Sequence, residues 1–195
     1  MSIKHPIISV TGSSGAGTST VKHTFQQIFR RESVKAVTLE GDAFHRYNRK
    51  EMKKELEKRH AAGDATFSHF SFDANLLPEL EDCFRNYSEQ GTCRYRHYIH
   101  NSNEENLYGA KPGNFTKWKK FEEPSDLLFY EGLHGAVVNK EINLARYADL
   151  KIGVVPVINL EWIQKIHRDT DSRGYSTEAV TDTILRRMHA YVHCI

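Results

Sequence analysis

The sequence is short of cysteine, of net charge and of long apolar runs, and each shortage excludes something. Its three cysteines, Cys83, Cys93 and Cys194, are odd in number and form no CxxC pair, so neither a disulfide framework nor a zinc site is expected. Twenty-seven Lys and Arg stand against 25 Asp and Glu, and the formal charge of +2 gives no reason to expect nucleic acid as a partner. No apolar run approaches the roughly 18 to 20 residues that span a bilayer, so no membrane partner is expected. The opening MSIKHPIISV lacks an apolar signal region and cleavage site, which points to the cytoplasm. Internal repeats and low-complexity segments are also missing. What is present is 195 residues, 39% hydrophobic and 27% charged, enough for one globular domain with a real core. Histidine is the one unusual count, at 11, and several histidines lie beside the motifs below.

Residues 6–10, PIISV, lead directly into TGSSGAGTST, after which Val21, Phe25, Ile28 and Phe29 recur at helical spacing up to Arg31. The order is strand, glycine-rich loop, helix. Val34 to Leu39 predicts a second strand ending at EGDAF, and 48–62 a charged helix broken by Gly63. Another helix is expected from Leu76 to Tyr87, with Pro78 in its first turn. In CRYRHYIH, Arg94, Arg96, Tyr98 and His100 alternate, which predicts a strand with one polar, aromatic face. Residues 101–124 are polar and turn-rich, an excursion over the core anchored by Trp118 and Phe121. LLFYEG and DLKIGVVPV predict two further buried strands, and 159–169 and 177–191 two helices, the second striped by Ala179, Val180, Ile184 and Met188. This alternation defines an α/β fold with a mostly parallel sheet, helices on both faces and ligands outside the carboxyl ends of the strands. Residues 1–195 read as a single domain, and the apolar close HAYVHCI suggests that it is incomplete at its C-terminus.

The strongest motif is Gly12-Ser13-Ser14-Gly15-Ala16-Gly17-Thr18-Ser19-Thr20, which matches the phosphate loop GxxxxGK[ST] at both glycines and at Ser19 but carries Thr18 in place of lysine. Glycines let backbone N–H groups converge on phosphates, and the following helix N-terminus adds partial positive charge. Ser19 could ligate magnesium. A glycine-rich turn without ligand is the bland alternative. Without the lysine, a phosphoryl transferase must bring cations from elsewhere. A second acid is expected at a strand end on the magnesium side, and Glu131 in LLFYEG stands there; taken alone it could be a simple turn residue.

EGDAFHRYNR follows the second strand and so emerges at the same sheet edge. Asp42 there could take the proton of an attacking hydroxyl, and His45 and Arg49, four apart, could bind an anion from one helix face. The alternative is an N-cap aspartate before a solvated basic helix. In EWIQKIHRD, Lys165, Arg168 and Asp169 share a helix face, with Arg173 just beyond in a segment, Thr170 to Gly174, that reads as a mobile turn. A basic helix with a flexible end suits a lid closing over phosphates, or is an ordinary surface helix with an internal ion pair.

The strings GSSGAGTST, EGDAFHR, FSHFSFDAN, RYRHYIH, PGNFT, LLFYEGLHG and VVPVINLEWIQKIHRD with RGYS resemble bacterial-type phosphoribulokinases from Lys4 to Ile195. The resemblance implies a nucleotide-kinase-like P-loop NTPase fold and a reaction in which ATP and magnesium phosphorylate the 1-hydroxyl of D-ribulose 5-phosphate, giving the 1,5-bisphosphate of the Calvin cycle. It implies Asp42 as base, with His45, Arg49, Tyr98, His100 and Arg173 around the sugar phosphate. Lys165 and Arg168 stabilise the transferred phosphoryl group. Ser19, Glu131 and Asp169 form the magnesium side, with Asp42 and Asp169 able to exchange emphasis. Bacterial members form homo-oligomers at full length, respond to NADH and run beyond the position of Ile195. Plant-type relatives carry a loop lysine where this sequence has Thr18 and a regulatory cysteine where it has Ala16, so thioredoxin-type control is not expected. Two other readings remain open: a kinase for another hydroxyl substrate, since uridine and pantothenate kinases share the loop and strand-end acid, and a non-catalytic nucleotide-binding module.

Overall fold

A computed structural model describes residues 5–64, 66–121 and 124–186. In chain order the elements are β1 (Ile7–Gly12), α1 (Thr18–Arg31), β2 (Ala36–Glu40), α2 (Arg49–Ala61), α3 (Leu77–Gln90), β3 (Arg94–Tyr95), α4 (Ser102–Tyr108), β4 (Lys119–Lys120), β5 (Leu127–Gly132), β6 (Leu150–Val154), α5 (Ile158–Arg173) and α6 (Thr177–Arg186). The main sheet has the order β2-β5-β1-β6, and all its pairs are parallel. β3 and β4 form a separate antiparallel pair. The βα order forces this arrangement, because a helix returns the chain to the start of each next parallel strand.

Side chains alternate across the sheet and divide the core in two. On one face Ile7, Leu39, Leu128 and Tyr130 pack with Leu80, Phe84 and Tyr87 of α3. On the other, Val10 and Phe129 pack with Phe25 and Phe29 of α1. Phe129 meets both α1 rings, at centroid distances of 5.2 and 5.7 Å, and burial of one such side chain contributes about 2 kcal/mol. These contacts place the α1 N-terminus at the carboxyl edge of β1. Trp118 and Phe121 anchor the excursion against the first core, as expected.

Five local expectations need correction. β6 is not a buried strand: it closes one side of the described sheet, and Leu150 is 45% exposed. The predicted strand through 93–100 shrinks to Arg94–Tyr95, with Tyr98 bridging only to Phe115. The polar excursion contains a helix, α4, because Asn101 caps it by accepting from the N–H groups of Asn103 and Glu104. The predicted mobile turn at 170–174 is instead the last turn of α5, which stops at Gly174 in the left-handed region. Cys83 and Cys93 are joined, their Cα atoms 4.9 Å apart across the turn after α3. Of the stripe on α6, Val180 and Ile184 are buried and Ala179 is exposed, while Met188 lies outside the described residues.

Candidate active site

β1 ends at Gly12 and α1 begins at Thr18, so the intervening loop is stretched over the sheet edge. Gly15 and Gly17 take φ of 106° and 97°, which bends the chain back on itself between strand and helix. Ser13 and Ala16 are buried, and Ser19 and Thr20 in the first turn of α1 are exposed. Thr18, at the position of the missing lysine, donates to Glu131 at the end of β5, 2.5 Å away.

α5 lies on this loop. Arg168 donates to the Ser14 hydroxyl at 3.1 Å, and Ser13 donates to the buried Glu161 carboxylate. Lys165 and Asp169, both 5% exposed, pair at 2.7 Å, and Arg168 reaches the other Asp169 oxygen at 2.9 Å. Burial opposes the Asp169 charge, but Lys165 and Arg168 outweigh it and hold the carboxyl below its ordinary value. The expected lid is thus a continuous helix seated on the phosphate loop. Two cations of α5 lie against a loop that has none of its own, at Ser14 and Gly15 rather than at Thr18. Arg173 closes this helix, and its side chain lies outside the described residues.

The acceptor side starts at Glu40, the last residue of β2. A single 3₁₀ turn, Gly41–Phe44, carries Asp42 to the same edge. Half of the Asp42 side chain is open to solvent; His45 lies 3.2 Å and His100 3.5 Å from its oxygens. Desolvation works against the charge, yet His45 first, then His100 and His69, hold this carboxyl well below the usual carboxylate range. His45 responds in the opposite sense: burial alone would lower it, but Asp42 and the Asn75 side chain raise it above 6.5. Asn75 Oδ1 lies 2.8 Å from His45 Nδ1. Tyr98 stacks edge-on with His100 at 4.9 Å and faces His45 at 6.2 Å. Arg49 donates to the His100 carbonyl at 3.3 Å. His45 and His100 therefore flank Asp42, Tyr98 packs against both histidines, and Arg49 is tied to the backbone of His100.

The route differs from expectation, because His45 and Arg49 do not share a helix. His45 is extended and α2 begins only at Arg49, where Asn48, rather than Asp42, is the cap and forms a reciprocal pair with Glu51.

Four residues of the site escaped sequence reasoning. Arg96 donates to the carbonyls of Ala43 and His45, both at 2.7 Å, while its guanidinium lies 3.6 Å over Phe115; it fixes the backbone on either side of Phe44. Glu161 sits on α5 beneath the loop. Glu40 is the register partner of Glu131. Lys22, one turn after Thr18 on α1, bonds Glu40 at 2.7 Å and lies 3.7 Å from Glu131. Burial disfavours its charge, but Glu40, Glu131 and Asp42 together keep the ammonium above its ordinary value. A signal for the acids was present: β2 ends at Glu40 with Gly41 next, and β5 closes on Glu131-Gly132. A methyl built on Gly41 would lie 2.6 Å from the Tyr130 hydroxyl and 3.0 Å from Gly132 Cα; one on Gly132 would lie 2.7 Å from Gly41 Cα. Only glycine allows the strand ends this approach.

Among the described residues no three His, Cys, Asp or Glu side chains gather into a metal cage. Magnesium takes one or two carboxylates plus phosphate oxygens and water rather than a protein cage. The hydroxyls of Thr18 and Ser19 and the Glu131 carboxylate are hard oxygen donors of the right kind.

A phosphate loop on a parallel sheet, cations laid over it and a carboxylate at the neighbouring strand end define a P-loop kinase that transfers phosphoryl to a hydroxyl. Comparison with known proteins makes this specific. Residues 7–195 match the Phosphoribulokinase / Uridine kinase family, and the chain belongs to it. It is 73% identical over 195 residues to phosphoribulokinase 1 of Cereibacter sphaeroides, covering 100% of this chain and 67% of that one. It is 64% identical to the phosphoribulokinase of Nitrobacter vulgaris, covering 98% and 66%. The solved phosphoribulokinase from Rhodobacter spheroides superposes with a TM-score of 0.82 at 71% identity, covering 98% of this chain and 66% of that one. A possible uridine kinase from Bacillus stearothermophilus shares the fold at 14% identity, with a TM-score of 0.56 over 91% of this chain and 85% of that one. The chain thus spans about two thirds of the length of its phosphoribulokinase relatives. No described helix is long and apolar enough to cross a membrane.

Proposed function

We infer that this chain carries the phosphoribulokinase reaction, moving the terminal phosphoryl group of ATP to the 1-hydroxyl of D-ribulose 5-phosphate. The observation that supports this best is Asp42, an ionised, half-open carboxylate ringed by His45, His100 and Tyr98 at the strand end beside the phosphate loop. Asp42 takes the proton of the attacking hydroxyl. His45 and His100 orient it, and Arg49 with Tyr98 and Arg173 binds the sugar phosphate. The loop from Gly12 to Thr20 holds the phosphates of the nucleotide through its backbone N–H groups. Lys165 and Arg168 compensate the charge that builds on the transferred group, the task a loop lysine performs elsewhere. Magnesium, bound by Ser19 and Glu131 and, on the family resemblance, by Asp169, would neutralise the phosphate oxygens. Residues 1–195 act as one domain of a cytoplasmic enzyme, and the family resemblance extends the proposal to a homo-oligomer responsive to NADH.

A panel of acceptors tests the reading. With ATP and magnesium, ribulose 5-phosphate should release ADP at least about a hundredfold faster than uridine, because a site built to bind the substrate's polar groups rejects analogues that leave those groups unpaired. Phosphorylation of uridine alone would replace the acceptor assignment. ATP binding with no ADP release from any acceptor would make the chain a nucleotide-binding module.

A further inference from the structure

Glu40 and Glu131 are register partners at the ends of adjacent parallel strands, and both side chains point to the α1 face of the sheet, where Lys22 meets them. The Lys22 side chain is only 15% exposed, and so is that of Glu131. One Glu131 oxygen accepts from Thr18 and the other faces the Lys22 ammonium, so the carboxylate is held from both ends. Two neighbouring carboxylates without a cation repel each other, and one of them must swing away. Thr18, being neutral, cannot prevent this; a lysine at that position could have.

We propose that Lys22 is a positioning residue of the kinase: its ammonium offsets Glu40 and so fixes the Glu131 carboxylate in the orientation that receives the divalent cation. The inference rests on reading Glu131 as the magnesium-side acid. It adds a second answer to the missing loop lysine. Lys165 and Arg168 replace its action on phosphate, and Lys22 replaces its charge beside the strand-end acid.

The test is manganese binding to the 195-residue chain with saturating ATP and no acceptor, followed by the paramagnetic resonance signal of free Mn²⁺. Because no acceptor is present, the outcome is independent of which alcohol is phosphorylated. Lys22→Met should weaken Mn²⁺ by about tenfold or more, the range seen when a partner of a ligand is removed, while metal-free ATP binding changes less than about threefold. Lys22→Arg should restore most of the affinity. Adding Glu40→Gln to Lys22→Met should also restore it, because the repulsion that Lys22 offsets is then gone, and this second variant separates positioning from mere packing. Unchanged Mn²⁺ affinity in folded Lys22→Met, no recovery in the double variant, or a loss of metal-free ATP binding equal to the loss of Mn²⁺ would each overturn the proposal.

Discussion

The donor and acceptor halves of this site are built by different means. The phosphate loop sits between β1 and α1, two regular elements whose positions are set by strand register and by Phe25, Phe29 and Phe129. Asp42 and its neighbours come from a 3₁₀ turn, the stretch at 96–100 and the segment around Asn75, tied by side chains bonding main-chain groups, some near and some far in sequence. Arg96 spans 53 residues to Ala43, and Asn75 donates to the carbonyls of His69 and Ser71. Regular structure holds the nucleotide side, and a few polar clamps hold the acceptor side. The acceptor half should therefore be the more easily disturbed by single polar substitutions, and the donor half the more forgiving.

The sharpest test of that contrast is Asp42→Asn. It should lower kcat by about 10³-fold, within the usual range for losing a general base, while ATP affinity measured by calorimetry stays within about threefold. Near-normal turnover would remove Asp42 from the chemistry. Lys165→Met on the donor side should lower kcat/KM by about 10²-fold, with ATP binding weakened far less, because the ammonium acts on charge that develops during transfer. Equal losses in both quantities would reduce Lys165 to a nucleotide contact.

The smallest effect expected is on stability. Asp42, held below its ordinary 3.8, adds stability above that pH, and the gain disappears as acid protonates it. His45, held above its ordinary 6.5, adds stability below that pH, and the gain disappears as pH rises through its raised value. The pair therefore contributes most between about pH 4 and 6.5. His45→Gln should lower the urea midpoint at pH 6 and leave it nearly unchanged at pH 9, and solvent on the open side of Asp42 limits the difference to about 1 kcal/mol. A pH-independent loss would mean that His45 acts by packing alone.

The same contrast explains what could be read from the sequence. Strand, loop and helix from Ile7 to Arg31 were legible because periodicity and glycine spacing report regular backbone directly. Glu131 was legible because it ends an apolar run. His45, Arg49, Tyr98 and His100 were placed at the acceptor site, but through a helix and a strand that do not form. Periodicity over a few residues cannot distinguish a strand from an extended segment whose bonds go elsewhere: His97 N–H bonds the Thr116 hydroxyl, and Ile99 N–H the Asn114 carbonyl. Arg96 alternated correctly, yet nothing local reveals that it binds two carbonyls. Lys22 stood four residues after Thr18, on the same helix face, and its meaning depends on Glu40 and Glu131 becoming neighbours. Tertiary register alone brings that about.

The paired glycines after those two acids have a further consequence. Gly41 starts the turn that carries Asp42, Gly132 follows Glu131 at the end of β5, and the two backbones meet beside the Tyr130 hydroxyl. A side chain on either glycine would have to displace the other strand end or the Tyr130 hydroxyl, so the separation of Asp42 from Glu131 is set by backbone contact. The placement of Asp42 relative to Glu131 is in this sense a fixed tolerance of the backbone, which substitutions in the surrounding polar clamps leave in place.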